Sequence, residues 1–236
     1  MNIALFSKAL ANDGTVIPFV RDELRALYHD KIEILVVTAA GNNSAEAVRR
    51  ASALMTTAGV TPVLLHQQRR PLAAIAHAAA FYICGGNVFR LAHSLQTLGW
   101  MDPIRAQVEA GAPYAGTSAG AVIAGPSIAT TNSMPVVLPP RLDALGLVHV
   151  HVNAHYPTDS EDGLGETRET RIQEVIYERL TDVLALRDGS GLRTEHDTAM
   201  VIGQANARFF PWDGRSPCEL SPGSSIPPIT EWSCLG

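Results

Sequence analysis

A three-layer α/β fold with a mostly parallel central sheet is the architecture this sequence predicts, on three observations. Short runs rich in Ile, Leu and Val alternate with amphipathic segments of helical period, which implies right-handed βαβ units with helices on both sheet faces. The chain has 236 residues, 46% hydrophobic and 17% charged, enough for one large α/β domain. Its apolar runs are all too short to span a bilayer.

In chain order, Asn2–Ser7 and Ile32–Thr38 read as buried parallel strands. Between them Phe19–His29 carries Phe19, Val20, Leu24 and Leu27 at helical spacing. Met1–Phe6 lacks a basic leader and a long apolar core, so it is expected to be a first strand and not a signal peptide. Asn42–Ser44 offers a cap for a helix over Ala45–Thr57, which Gly59 ends. Val60–Leu65 is a third strand, Pro71–Ala79 a short helix and Phe81–Ile83 a fourth strand. That strand runs into Cys84-Gly85-Gly86-Asn87, before a helix from Val88 to about Leu98. Met101–Glu109 is a further helix.

Later, Val136–Leu138 and Leu147–Val152 are expected as strands, and Asp159–Gly165 as an acidic loop. A helix is expected from Gly165 to about Leu180, then a strand at Val183–Leu186 and a turn over Arg187–Gly191. Ala199–Ile202 and Ala207–Phe210 read as a β pair. Residues 1–215 form a single catalytic domain in this reading, and 216–236, rich in Pro, Ser and Gly, a loosely attached tail.

The formal net charge of −5 gives no reason to expect nucleic acid. The three cysteines, Cys84, Cys218 and Cys234, are too few and too far apart for a disulfide framework or zinc site, which points to a reducing cytoplasm. No cofactor and no metal are expected. His149, His151 and His155 cluster, and alternation puts the first two on one strand face. Matching Cys or carboxylate ligands are missing there, so His149 and His151 read as hydrogen-bonded strand histidines.

Gly116-Thr117-Ser118-Ala119-Gly120 is the stretch that carries chemistry. It matches G-x-S-x-G, a strand–turn–helix elbow that exposes a serine, with Tyr114-Ala115 before it and Ala121–Ala124 after it. The N–H of Ala119 is placed to donate to an oxyanion, and a glycine N–H of the 85–86 pair is the second candidate donor. A serine hydroxyl needs a base, and the base an acid. Two orders are available: Ser118–His155–Asp188, and the α/β-hydrolase order Ser118–Asp188–His196. Glu195 and Asp197 flank His196 as a solvated charged turn, whereas His155 has apolar and amide neighbours, so residue context favours the first.

The segments Cys84–Leu91, Gly116–Ala121, Ala129–Pro135, His151–Tyr156 and Gly165–Ile172 (G-E-T-R-E-T-R-I) fall in order along the chain. In these the chain resembles the S51 serine peptidases, the α-aspartyl dipeptidases of the peptidase E type. The resemblance implies a class I glutaminase-like, flavodoxin-like α/β sandwich. It implies Ser118 as nucleophile, His155 as base, Asp188 where the family often has Glu, and Gly86 and Ala119 as oxyanion donors. It implies that Arg168 holds the acidic side chain of a small peptide substrate, with no nucleic acid or membrane partner; a homodimer stays open. Besides Asp188, Ser133 for Asp, Val122 for Asn and Cys84 for Gly depart from the family pattern. A cyanophycinase-like β-aspartyl peptidase, an esterase using His196 and a non-catalytic binder of acidic ligands are the alternatives.

Overall fold

The computed structural model describes residues 1–158, 166–179, 181–195 and 198–226. The chain runs β1 (Ile3–Phe6), α1 (Pro18–Leu27), β2 (Glu33–Val37), α2 (Ala45–Ala58), β3 (Thr61–Leu64), α3 (Pro71–Ala76) and β4 (Phe81–Ile83). Then come α4 (Val88–Thr97), α5 (Met101–Glu109), β5 (Tyr114–Thr117), α6 (Ala119–Val122), β6 (His151–Tyr156) and α7 (Arg168–Arg179). The last strands are β7 (Val183–Arg187), β8 (Ser190–Glu195), β9 (Thr198–Gly203), β10 (Ala207–Phe210), β11 (Cys218–Leu220) and β12 (Ser225–Ile226).

Two sheets result. The first has the order β12-β9-β8-β1-β5-β4-β2-β3. Its five strands from β1 to β3 are parallel, and β8, β9 and β12 join antiparallel beside β1. The second has the order β11-β10-β7-β6, with only β6 and β7 parallel.

Period-two alternation sorts the strand side chains between two cores. Ala4, Phe6, Ile34, Val36, Tyr82 and Ala115 face α1 and α2. Ile3, Leu5, Leu35, Val37, Phe81 and Ile83 face α4 and α5 and reach the inner face of the second sheet at Val152, Leu184, Leu186 and Phe209. The outer face of that sheet, through Val183, Ala185 and Phe210, is covered by Ile172 and Ile176 of α7. The helix signals hold as well. Ser44 caps α2 by accepting from the Ala47 N–H at 3.2 Å, and Gly59 ends it at φ 90°. Among the described residues, no helix is long and apolar enough to cross a membrane.

Several expectations fail, each for a physical reason. Residues 136–138 form no strand: Pro135, Pro139 and Pro140 remove the N–H groups a ladder needs, and Val136 and Leu138 are exposed. Residues 147–150 are irregular, so His149 is not on the strand that begins at His151. The expected pair of β9 and β10 does not form; β9 lies on β8 and β10 on β7, one in each sheet. The turn over Arg187–Gly191 shrinks to two residues, because Ser190–Glu195 is drawn into a strand beside β1. The stretch from residue 216 is no loose tail as far as residue 226: β11 pairs with β10, β12 pairs with β9, and Ile226 is buried. The acidic loop 159–165, Leu180, His196 and residues 227–236 lie outside the described residues.

Candidate active site

The elbow forms as its spacing requires. β5 delivers Ser118 at its carboxyl end with φ 52° and ψ −109°, and α6 starts at the next residue. A non-glycine residue in this region stores about 1–3 kcal/mol of strain, which the surroundings must hold. They do so by close packing. A Cβ at Gly116 would stand 2.1 Å from the Gly120 carbonyl oxygen, and one at Gly120 2.0 Å from that of Ile83. Ser118 donates its N–H to the Phe6 carbonyl at 2.9 Å. The buried Tyr114 hydroxyl donates to the Gly120 carbonyl at 2.6 Å, clamping the far side of the turn.

His155 reaches the same point from the second sheet. The pairing of β6 with β7 slips between Ala154 and Tyr156, and His155 takes φ 59° in that bulge. A regular strand would alternate its side chain to the other face; the bulge turns the imidazole toward Ser118. Nε2 of His155 lies 2.9 Å from Ser118 Oγ, and Nδ1 lies 2.7 Å from Asp188 Oδ1. Asp188 occupies the tight turn between β7 and β8, where the chain passes from one sheet to the other. The structure thus brings together Ser118, His155 and Asp188. Hydrogen bonding to His155, reinforced by the Ser7 hydroxyl and the Lys8 ammonium, holds the Asp188 carboxyl down at about 2 despite its partial burial. The alternative base, His196, lies outside the described residues.

Sequence reasoning missed Ser7 and Lys8. Ser7 Oγ accepts the His155 N–H at 2.9 Å and donates to Asp188 Oδ1 at 3.0 Å, and Lys8 Nζ lies 3.5 Å from Asp188 Oδ2. A lone Ser-Lys after a strand carries no pattern that could have flagged them.

Both glycines of the 85–86 pair are required. A Cβ at Gly85 would stand 3.2 Å from the Ser118 Cβ. Gly86 has φ 142°, and a Cβ there would meet the Ala40 carbonyl oxygen at 2.3 Å. Among the described residues, the N–H groups of Gly86 and Ala119 donate to no backbone carbonyl. A groove of about 830 Å³ opens above this floor, lined in part by Lys8, Arg49, Arg50, Cys84, Ser118 and His155. Burial pushes the Cys84 thiol up to about 12, so it is no rival nucleophile.

Arg168 begins α7 and lies outside that lining. Its Nη1 donates to Asn153 Oδ1 and to the carbonyls of Ala154 and His155, at 3.2–3.3 Å. The next residue, Glu169, pairs with Arg208 of β10 at 3.2 Å, which fixes the start of α7 on the second sheet. Ser133 accepts the Val88 N–H at the start of α4, at 3.2 Å, and Val122 is buried. His151 is a buried strand histidine bonded to Ser127 Oγ at 2.7 Å. Among the described residues, no three His, Cys, Asp or Glu side chains cluster closely enough to hold a metal ion.

The family model of peptidase family S51 matches residues 3–202. Peptidase E of Streptomyces coelicolor is 41% identical over 179 residues, 75% of this chain and 73% of that one. A probable alpha-aspartyl dipeptidase of Drosophila melanogaster is 41% identical over 162 residues, 67% of each chain. Among solved structures, a peptidase from an acI-B1 Actinobacterium superposes with a TM-score of 0.67 over 95% of this chain and 96% of that one. At 17% identity that likeness speaks for the fold alone.

Proposed function

Because the chain belongs to peptidase family S51, we propose that it is a serine dipeptidase that releases an N-terminal aspartate from small acidic peptides. The observation that carries this reading is the unbroken hydrogen-bond chain from Ser118 Oγ through His155 to Asp188. With Asp188 ionised, the His155 proton sits on Nδ1, and the Nε2 lone pair faces the Ser118 hydroxyl. Ser118 Oγ attacks the peptide carbonyl as its proton passes to Nε2. The N–H groups of Gly86 and Ala119 donate to the oxyanion. His155 then protonates the leaving amine as the C–N bond breaks, and water, deprotonated at Nε2, hydrolyses the acyl-enzyme. Arg168 pairs with the substrate's side-chain carboxylate, a task that suits a planar guanidinium. The cytoplasm is the proposed location, on the sparse cysteines, of which Cys84 and Cys218 are free.

The test is hydrolysis of dipeptides starting with Asp against matched Glu and Asn substrates. Asp dipeptides are expected to be cleaved, Arg168→Ala to lose the Asp preference together with some activity on every substrate, since its guanidinium also holds the carbonyls of Ala154 and His155, and Ser118→Ala to lose more than about 1,000-fold in kcat/KM. If wild type cleaves none of the Asp dipeptides, the substrate class is wrong, and β-aspartyl and ester substrates come next. If Ser118→Ala keeps wild-type activity, the nucleophile is wrong.

A further inference from the structure

We infer that Ser7 is a positioning residue: its hydroxyl ties the backbone of His155 to the carboxylate of Asp188 and so sets the base against Ser118. The inference rests on the serine-peptidase reading above and extends it to a residue outside the Ser–His–Asp chain.

Ser7 follows β1 directly and is fully buried. Its own N–H donates to the Ser190 carbonyl at 3.2 Å, which pins its backbone beside β8. The side chain then has two partners whose roles admit one assignment. The His155 N–H can only donate, so Ser7 Oγ accepts it, at 2.9 Å. The hydroxyl's one hydrogen is left for Asp188 Oδ1, at 3.0 Å.

Each bond answers a specific need. His155 sits in the β6 bulge at φ 59°, where the ladder with β7 is interrupted, and Ser7 takes up the bulge residue's N–H. Asp188 Oδ1 receives both the His155 ring at 2.7 Å and the Ser7 hydroxyl, while Oδ2 faces Lys8 at 3.5 Å, which fixes how the carboxylate is turned. The residue before Ser7 supplies the carbonyl that accepts the Ser118 N–H. Three successive residues, Phe6, Ser7 and Lys8, therefore touch the nucleophile, the base and the acid. Those groups come from the end of β5, from β6 in the other sheet and from the turn between β7 and β8. Ser7 is the link that joins two of them directly.

The experiment compares wild type with Ser7→Ala and the near-isosteric Ser7→Cys, each checked for folding by near-UV circular dichroism. Two readouts are taken: the rate at which a fluorophosphonate labels Ser118, and solvent exchange of the His155 Nδ1 proton by 15N-edited NMR. In both variants labelling is expected to slow by about 10- to 100-fold, as for a displaced catalytic group, and the Nδ1 proton to exchange faster. Should Ser7→Ala not fold, Ser7→Cys, which keeps the volume and weakens both hydrogen bonds, carries the comparison. Folded variants that label at the wild-type rate and keep the proton protected overturn the proposal. If wild type is labelled but cleaves no Asp dipeptide, only the substrate reading fails, and slower labelling of the variants still supports the role of Ser7. If wild type is not labelled at Ser118, the nucleophile reading fails and the Nδ1 proton decides alone: faster exchange in the variants supports the tie, unchanged exchange overturns it.

Discussion

Ser118 and His155 share a backbone anomaly, a positive φ in a residue other than glycine, and each has a neighbour that holds it there. For Ser118 the anomaly was legible, because the small residues it demands lie two positions away on either side, at Gly116 and Gly120. For His155 it was not: the sequence placed the histidine beyond a strand, and the bulge that aims it depends on pairing with β7, where Ala154 lies opposite Leu186 and Tyr156 opposite Arg187. Ser7 was still less legible, since its two bonds span 148 and 181 residues. Asp188 falls in a turn after a strand, as the sequence suggests, with Oδ1 2.7 Å from His155 Nδ1. Replacing it with Asn leaves the shape but offers Nδ1 an amide, and the imidazole is no longer held in the tautomer that accepts the Ser118 proton. Asp188→Asn is expected to lower kcat by about 10⁴-fold while the circular dichroism spectrum is unchanged. Recovery of wild-type kcat in that variant would show that the acid lies elsewhere.

Elements with a strong local signal follow from the sequence, a cap and stop for a helix or an apolar run for β1, β2, β4, β7 and β10, whereas elements that only distant partners make regular do not. The α2 cap and stop and the elbow follow from residues a few positions apart. β8 fails that test: Ser-Gly-Leu-Arg-Thr-Glu has little strand propensity and becomes a strand because β1 and β9 flank it. Gly203, at φ 108°, turns the chain out of β9, so that β10 joins the other sheet. The start of α4 gives a prediction of this kind. Asn87 Oδ1 caps the helix by accepting the Arg90 N–H at 3.0 Å, and its Nδ2 donates to the Met134 carbonyl at 2.8 Å. Asn87→Ala is expected to cost about 1 kcal/mol in urea unfolding from the cap alone. It also unties the 133–135 segment from the loop that carries Gly85 and Gly86, so a fall in kcat should accompany the loss of stability.

Across the whole molecule, the proposed site exists only while the two sheets hold their relative placement, since Ser118 hangs from one and His155 from the other. Acid therefore acts on site and fold together. The Asp188 carboxyl titrates at about 2 in the folded chain against its ordinary 3.8, so its ionised form favours the folded state. That contribution is complete above the ordinary value and is lost as pH falls toward 2. In urea melts from pH 6 to pH 2, the gap in midpoint between wild type and Asp188→Asn is expected to shrink through this window. The shrinkage is small, because solvent screens a side chain that is 46% exposed. A gap that widens on acidification would contradict the assignment.

Cys84 adds a consequence for how the groove breathes. Its thiol is buried in the wall of the groove beside Gly85 and is pushed to about 12, whereas Cys218 is exposed on β11. Of these two sulfurs, an alkylating reagent therefore meets Cys218 at once and Cys84 only during excursions that open its surroundings, and peptide mass spectrometry tells both from the third cysteine, Cys234. The interval between modification of Cys218 and of Cys84, followed on their own peptides, is a clock for those excursions. An acidic dipeptide seated over Ser118 is expected to slow that clock.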